Sequence, residues 1–399
     1  MAAHHALMTR AARRPVAWLP AAAVLIGAGW GSNQFTPMLL VYHQRLGLGT
    51  GTLEALFGVY ALGLIPGLLI GGPLSDARGR RTVVVPAAVL SLAATIALAA
   101  AGGHVAILFA GRLLAGVSSG AAFSAGTAWL RDLSRPGSGA ADGHAAARRA
   151  AVAMTAGFAL GPLVAGLLAQ WAPDPEVVPY LPHIALALAV IALLRDAPET
   201  VVAGAAGSAR PARRSGDGAR FWRVVAPMAP WVFASPAIAF ALLPSVVGAQ
   251  HATDGLALVA AITALTAFAG VLIQPLGRRL DRSPRGNRAA TVGLVTVAAG
   301  LGLGAYTAHA QEVWLLVPCA IVLGCAYGLC LVGGLVEVQR IAGPDRLARL
   351  TAHYYALTYL GFAAPYLFAV GAQVTSYAAL LCAAAVLALG TAAVVSRQE

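Results

Sequence analysis

Gly71-Gly72-Pro73-Leu74-Ser75-Asp76-Ala77-Arg78-Gly79-Arg80-Arg81 is a short, highly charged turn set between two long apolar runs, roughly 52–74 and 82–101. Each run is long enough to cross a bilayer, because about 20 apolar residues at ~1.5 Å each match a hydrocarbon core of about 30 Å. A polar turn from Ser75 to Arg81 between two spans predicts a tight helical hairpin with its three arginines on the cytoplasmic side. Gly71 and Gly72 allow neighbouring helices to approach closely, as small residues do in membranes. Asp76 is then a carboxylate at a helix end, facing a cluster of guanidinium donors.

Working outward, the composition agrees with a chain that crosses the membrane many times. It is 59% hydrophobic and 11% charged, against roughly 25% charged in soluble domains. Further apolar runs fall at about 15–42, 104–129, 150–170, 179–195, 222–248, 256–276, 289–309, 313–338, 350–372 and 376–395, which makes twelve. The expected fold is therefore an all-α membrane protein of twelve transmembrane helices. The run after Arg10, Arg13 and Arg14 is too long for a signal-peptide core, and no small-residue cleavage site follows, so it reads as an uncleaved first span.

The net charge of +12 comes from 27 arginines and no lysine. With both termini inside, 25 of the 27 fall in cytoplasmic segments; only Arg45 lies outside, and only Arg112 lies within a span. That asymmetry is the positive-inside pattern, and it argues against nucleic-acid binding, which would gather the charge on one domain face. The four cysteines, Cys319, Cys325, Cys330 and Cys382, sit inside apolar runs and read as small buried hydrophobes, without metal spacing or a disulfide framework.

The stretch from about Asp196 to Arg220 is rich in Ala, Gly, Ser and Arg and lacks apolar periodicity. It predicts a cytoplasmic linker over 196–221, between an N-terminal six-helix half at 1–195 and a C-terminal half at 222–399. Traces of a repeat support two halves. Gly72 and Asp76 recur as Gly277 and Asp281, Arg80 recurs as Arg285, and Gly157-Phe158-Ala159 recurs as Gly361-Phe362-Ala363.

The charged turn resembles the signature loop between the second and third helices of the major facilitator superfamily. That pattern runs Gly, three residues, Asp, a basic residue, any residue, Gly, Arg, and a final basic residue. Gly72, Asp76, Gly79, Arg80 and Arg81 match it, and Ala77 departs. The resemblance implies two pseudo-symmetric six-helix halves. It also implies a conformational latch formed by these residues with Gly277 and Asp281, which holds cytoplasmic helix ends in the outward-facing state.

Around Arg112, the stretch Gly111-Arg112-Leu113-Leu114-Ala115-Gly116 resembles the superfamily's fourth-helix motif, which is linked to proton coupling. A charge at that depth in a span is costly and marks a functional candidate; the alternative is a fixed interhelical hydrogen bond to backbone carbonyls. Gly157, Gly161, Pro162 and Gly166 resemble the helix-five motif of antiporters that export drugs, with Ala165 and Arg148 departing from it. The alternative there is a generic small-residue packing face.

Other intramembrane polar residues admit two readings each. Asn33 and Gln34 in the first span either line a cavity or make interhelical hydrogen bonds. Glu54 starts the second span, where it either complements the helix dipole as an end acid or is a further candidate for the proton-binding group. Glu337 stands three residues before Arg340, within pairing distance on one helix face, and is the main candidate for the titrating group, with His353 beside it as another. Tyr355 and Tyr359, one turn apart, belong either to an interfacial belt or to a cavity wall.

Gly-rich segments lie inside spans and lack the Lys-Ser/Thr ending of a phosphate loop, and no catalytic triad appears, so an enzyme or ATP-driven pump is not expected. The leading expectation is a secondary transporter of the cell membrane. It would be a proton-coupled exporter of small, largely apolar molecules that works by alternating access as a monomer. Its partners would be a small-molecule substrate, protons and the bilayer, with no cofactor. An uptake symporter or uniporter, and a non-transporting membrane receptor or scaffold, are the alternatives.

Overall fold

The computed structural model describes residues 17–134, 140–201, 217–249, 254–281, 287–341 and 347–397. Arg10, Arg13, Arg14, Arg282, Arg285 and most of the expected linker lie outside the described residues. Among those that are described, all regular structure is helical: α1 (Leu19–Asn33), α2 (Phe35–Leu46), α3 (Thr50–Arg78), α4 (Arg80–Ala99), α5 (Val105–Leu133), α6 (Ala140–Trp171), α7 (Val178–Leu194), α8 (Phe221–Val246), α9 (Gly255–Leu280), α10 (Arg288–Ala310), α11 (Val313–Ile341), α12 (Leu347–Tyr359), α13 (Ala364–Gly371) and α14 (Tyr377–Ser396).

Nine helices among the described residues are long and apolar enough to cross a membrane: α3, α4, α5, the Arg149–Trp171 part of α6, α8, α9 (which bends at Ile273), α10, α11 and α14. The other three apolar runs are helical but broken or short, so uninterrupted spans are fewer than the twelve runs. The first run breaks at Gln34 into α1 and α2. Pro37 contributes to that break, since it lacks the N–H that would bond the carbonyl four residues back. The eleventh run breaks into α12 and α13 at a tight turn, Leu360–Ala363, just before Pro365. The sixth, α7, is shorter than the nine. In α8 the turn Ile238–Leu242 widens to π-type geometry between Pro236 and Pro244, the kind of local unwinding that proline permits within a membrane.

The chain divides into two compact units. One comprises Met1–Phe35, Leu62–Ala165 and Ala172–Ser208; the other comprises Thr36–Ala61, Gly166–Trp171 and Ala209–Glu399. In the first unit α4 packs on α5 and α7, and α1 packs on α5. Glycines set the closest crossings there. A Cβ on Gly157 of α6 would lie 2.8 Å from the Trp30 amide nitrogen, and one on Gly67 of α3 would lie 3.1 Å from the Val117 Cα of α5. In the second unit α10 packs on α14 and α11, and α9 on α11. A Cβ on Gly324 of α11 would meet the Thr266 carbonyl at 2.5 Å. Outward faces carry large apolar side chains, such as Leu272 at 77% and Leu387 at 64% exposed, the surface that a hydrocarbon solvent requires.

Candidate functional sites: buried polar groups and charged helix ends

The turn that opened the sequence reading is the centre of a charged cluster in the first unit. Gly79 has φ +109°, a conformation that glycine adopts without strain, and it separates α3 from α4. The backbone there is tight enough that a Cβ on Gly79 would meet the Glu199 carboxylate. Arg80, 7% exposed, donates from Nε to Asp132 at 3.1 Å, from Nη1 to Ser75 Oγ at 2.8 Å, and to Asp76.

Glu199 accepts the backbone N–H groups of Arg80 and Arg81, each at 2.8 Å. A carboxylate on the first amides of a helix satisfies donors that have no partner within the helix and complements the macrodipole. Arg81 in turn donates to the Arg195 carbonyl at the end of α7, at 2.8 Å, and Trp129 Nε1 donates to Pro198 O at 3.1 Å. The cluster therefore ties the ends of α3, α4, α5 and α7 within one unit. Gly72 is half-buried against Ser124, and the Asp76 side chain is 61% exposed.

The second unit carries a matching cluster. Glu337 accepts from Arg220 Nε at 2.6 Å and from Arg340 Nη1 at 3.0 Å, and Arg340 also reaches Asn287 Oδ1 at 3.2 Å. The Glu337–Arg340 pair is the one its three-residue spacing allowed. Asp281 accepts the Ala289 N–H at 3.0 Å and so caps the start of α10, while Gly277 lies buried one turn earlier. Asp132 and Glu337 stand 205 residues apart, the same offset that relates Asp76 to Asp281. Each is the acid that binds arginine at the charged end of the fourth apolar run of its half. Sequence reasoning passed over Asp132 and Glu199; applying the repeat offset to Glu337 points directly to Asp132.

Arg112 is 1% exposed in α5. Its Nη1 donates to the Ser32 carbonyl at 3.3 Å, and the guanidinium lies 4.4 Å from the centre of the Phe35 ring, beside the break between α1 and α2. Bonding to a backbone carbonyl and stacking on an aromatic face both keep a buried guanidinium partnered where no carboxylate is at hand. Ser32 Oγ bonds Ala28 O at 2.6 Å and Ser119 Oγ at 3.3 Å. Gln34 is fully buried and reaches Thr95 Oγ1 at 3.5 Å, with its own Oε1 unpartnered; Asn33 is half-buried.

The same network contains a residue that sequence reasoning missed. His183 of α7 is fully buried, with Nδ1 2.8 Å from Thr95 Oγ1 and Nε2 3.0 Å from Gly27 O, so both ring nitrogens are hydrogen-bonded. Gly31 makes room for the ring, since a Cβ there would sit 2.9 Å from it. A lone histidine inside the sixth apolar run was the available signal.

In the second unit, aromatic rings from four helices meet. Phe233 stacks on Tyr359 at 4.6 Å, on Phe362 at 5.0 Å and on Tyr327 at 5.6 Å between centroids. Phe57 stands edge-on to Phe362 at 5.4 Å and to Phe240 at 6.1 Å. Tyr359 is thus part of an aromatic wall, 3% exposed. Tyr355 is half-buried against Tyr354, whose hydroxyl bonds the Cys330 carbonyl at 3.0 Å. His353 is exposed, unlike Glu337, so the two expected neighbours differ sharply in environment. Glu54 is 1% exposed and its Oε2 has no hydrogen-bond partner.

The helix-five glycines are engaged in packing. Gly157 and Gly161 take the backbone of α1 at Ile26–Trp30, and Pro162 follows inside α6. A Cβ on Gly166 would lie 3.0 Å from Leu256 O.

A family model described as Major Facilitator Superfamily matches residues 19–365. No curated protein matches the chain. Among solved structures, the peptide transporter POT in complex with sulfate superimposes with TM-score 0.79 at 16% identity, covering 96% of each chain. A D-xylose–proton symporter superimposes with TM-score 0.68 at 17% identity, covering 93% of this chain and 96% of that one. The nucleoside transporter NupG gives TM-score 0.66 at 15% identity, covering 94% and 98%. These likenesses are of fold. Taken with the family match, the repeated charged turns and the stack of apolar helices, they lead to one conclusion: the chain belongs to the major facilitator superfamily, and it is a multi-pass membrane transporter, not an enzyme.

Proposed function

We propose that the protein is a proton-coupled secondary transporter of small, largely apolar molecules that works by alternating access in the cell membrane, with both termini cytoplasmic. The observation that carries the reading is Arg112, a permanent charge 1% exposed within a span, held by a backbone carbonyl and an aromatic face. So costly a group in the bundle interior is a functional candidate, and because arginine does not deprotonate it acts by tuning its neighbours. The aromatic wall of Phe233, Tyr359 and Phe362 suits a substrate with an apolar or aromatic face.

The charged clusters take the part of keeping each unit's helix ends together while the units move; the exposed Asp76 carboxylate, paired with Arg80 here, is the group that exchanges partners as a latch. Export is the direction we favour, on the helix-five resemblance at Gly157, Gly161, Pro162 and Gly166. Uptake is the second reading, because Gly157 and Gly161 are already accounted for by the crossing with α1 and Gly166 by its contact with Leu256.

The test is transport of a compound panel by reconstituted protein in vesicles with an imposed pH gradient. Substrate movement against its gradient, driven by opposite proton movement, is the expected result. Movement in the same direction as protons would establish uptake, and gradient-independent equilibration would remove proton coupling.

A further inference from the structure

Two carboxyl groups are buried among the described residues, Glu54 and Glu337, each 1% exposed. Glu337 is matched by two guanidinium groups. Glu54 forms no ion pair, its Oε2 accepts no hydrogen bond, and it lies in a span at the end opposite Asp76. The charged or titratable side chains carried at that end of this unit's segments include Tyr42, His43 and Arg45 of α2, Asp254 before α9, His309 of α10, Glu312 before α11 and Tyr377 of α14. Tyr377 lies within electrostatic reach of Glu54 and offers no positive charge. His43 is turned to the Leu48 carbonyl, 2.9 Å from Nδ1.

A carboxylate taken out of water with no cation beside it is far less favourable than the neutral acid. A mainly apolar cleft lies alongside, lined by Thr50 and Leu53 of α3 with Thr36, His43 and Ser245 as its other polar members. Thr50 stands four residues before Glu54 in α3, on the same helix face.

We propose that Glu54 is a proton-binding site, occupied in the packed arrangement described here and emptied when water and counter-charge gain access to that end of α3. Packing Phe57 against Phe240 and Phe362 closes apolar rings one turn further along the helix. Proton uptake by Glu54 from the adjoining aqueous side is therefore coupled to the closure of this end of the second unit. In the step, a solvent proton bonds to one carboxylate oxygen; the reverse step returns it to solvent, with no other bond changed. The functional consequence rests on the reading of proton-coupled transport, but the proton site itself does not.

The experiment is infrared difference spectroscopy of the purified full-length protein between about pH 6 and about pH 9, the range in which buried acids have been found to titrate. Wild type is compared with Glu54→Gln, which imitates the neutral acid in size and polarity. The expected result is a protonated-carboxyl carbonyl band that falls on alkalinisation in wild type and is missing from Glu54→Gln. A band that persists unchanged in Glu54→Gln, or no such band in wild type, overturns the proposal. If the band behaves as expected while wild-type transport proves independent of the pH gradient, the proton site stands and the transport reading fails.

Discussion

Arg80→Ala is the perturbation that most directly tests whether the charged turn holds the helix ends of the first unit together. The change removes donors to Asp132, Ser75 and Asp76. The Asp76 pair involves a carboxylate 61% exposed, so its loss costs only a few tenths of a kcal/mol. The Asp132 side chain is 22% exposed, and stranding it is the larger effect. Removing one partner of a fully buried pair costs about 3–5 kcal/mol, and allowing for partial exposure leaves about 2 kcal/mol here. That corresponds to a local opening equilibrium about 30-fold more favourable.

Hydrogen–deuterium exchange on the full chain in lipid nanodiscs reads this quantity, because local opening sets amide protection. Exchange should rise about 30-fold over residues 80–84, 129–134 and 197–201 and stay unchanged in α10 of the other unit. Arg80→Ala combined with Asp132→Asn should recover part of the loss, since the stranded charge is gone. Protection within about twofold of wild type in all three segments would refute the reasoning.

Two further outcomes follow from the same structure. Arg112→Lys keeps the charge but loses the planar fork that reaches Ser32 O and the face that stacks on Phe35. Both Arg112→Lys and Arg112→Ala should therefore lower gradient-driven transport at least about tenfold, as an interaction worth about 1.4 kcal/mol requires, and wild-type flux in Arg112→Ala would return the residue to a packing role. Glu337→Gln should raise exchange at the starts of α8 and α10 and the end of α11, because Arg220 and Arg340 lose their shared carboxylate, while transport keeps its dependence on the pH gradient; loss of that dependence would restore Glu337 as the titrating group expected from its sequence position.

The membrane character of the chain, its apolar runs and the charged turn were legible in the sequence because each is a local property. Hydropathy over about 20 residues decides whether a helix is stable in lipid, and every apolar run expected between residues 15 and 395 is helical where it is described. Even the Glu337–Arg340 pair was legible, since three residues of one helix fix the two side chains on a shared face. The repeat also carried real information, for the offset linking Asp76 to Asp281 links Asp132 to Glu337.

What only the tertiary structure decided is which distant groups meet. Glu199 stands in a stretch that reads as linker, yet it caps α4 from more than a hundred residues away. Arg220 reaches Glu337 across 117 positions, and His183 closes a network with Thr95 and Gly27 from a helix whose sequence is otherwise apolar. Glu54 read in the sequence either as a helix-end acid or as one of three candidate proton sites; the packing around it left its Oε2 with no partner. In a dry interior the state of a polar group is set by the few atoms within hydrogen-bonding reach. Those atoms come from other helices, and their identity is written in the packing, not in the neighbouring residues.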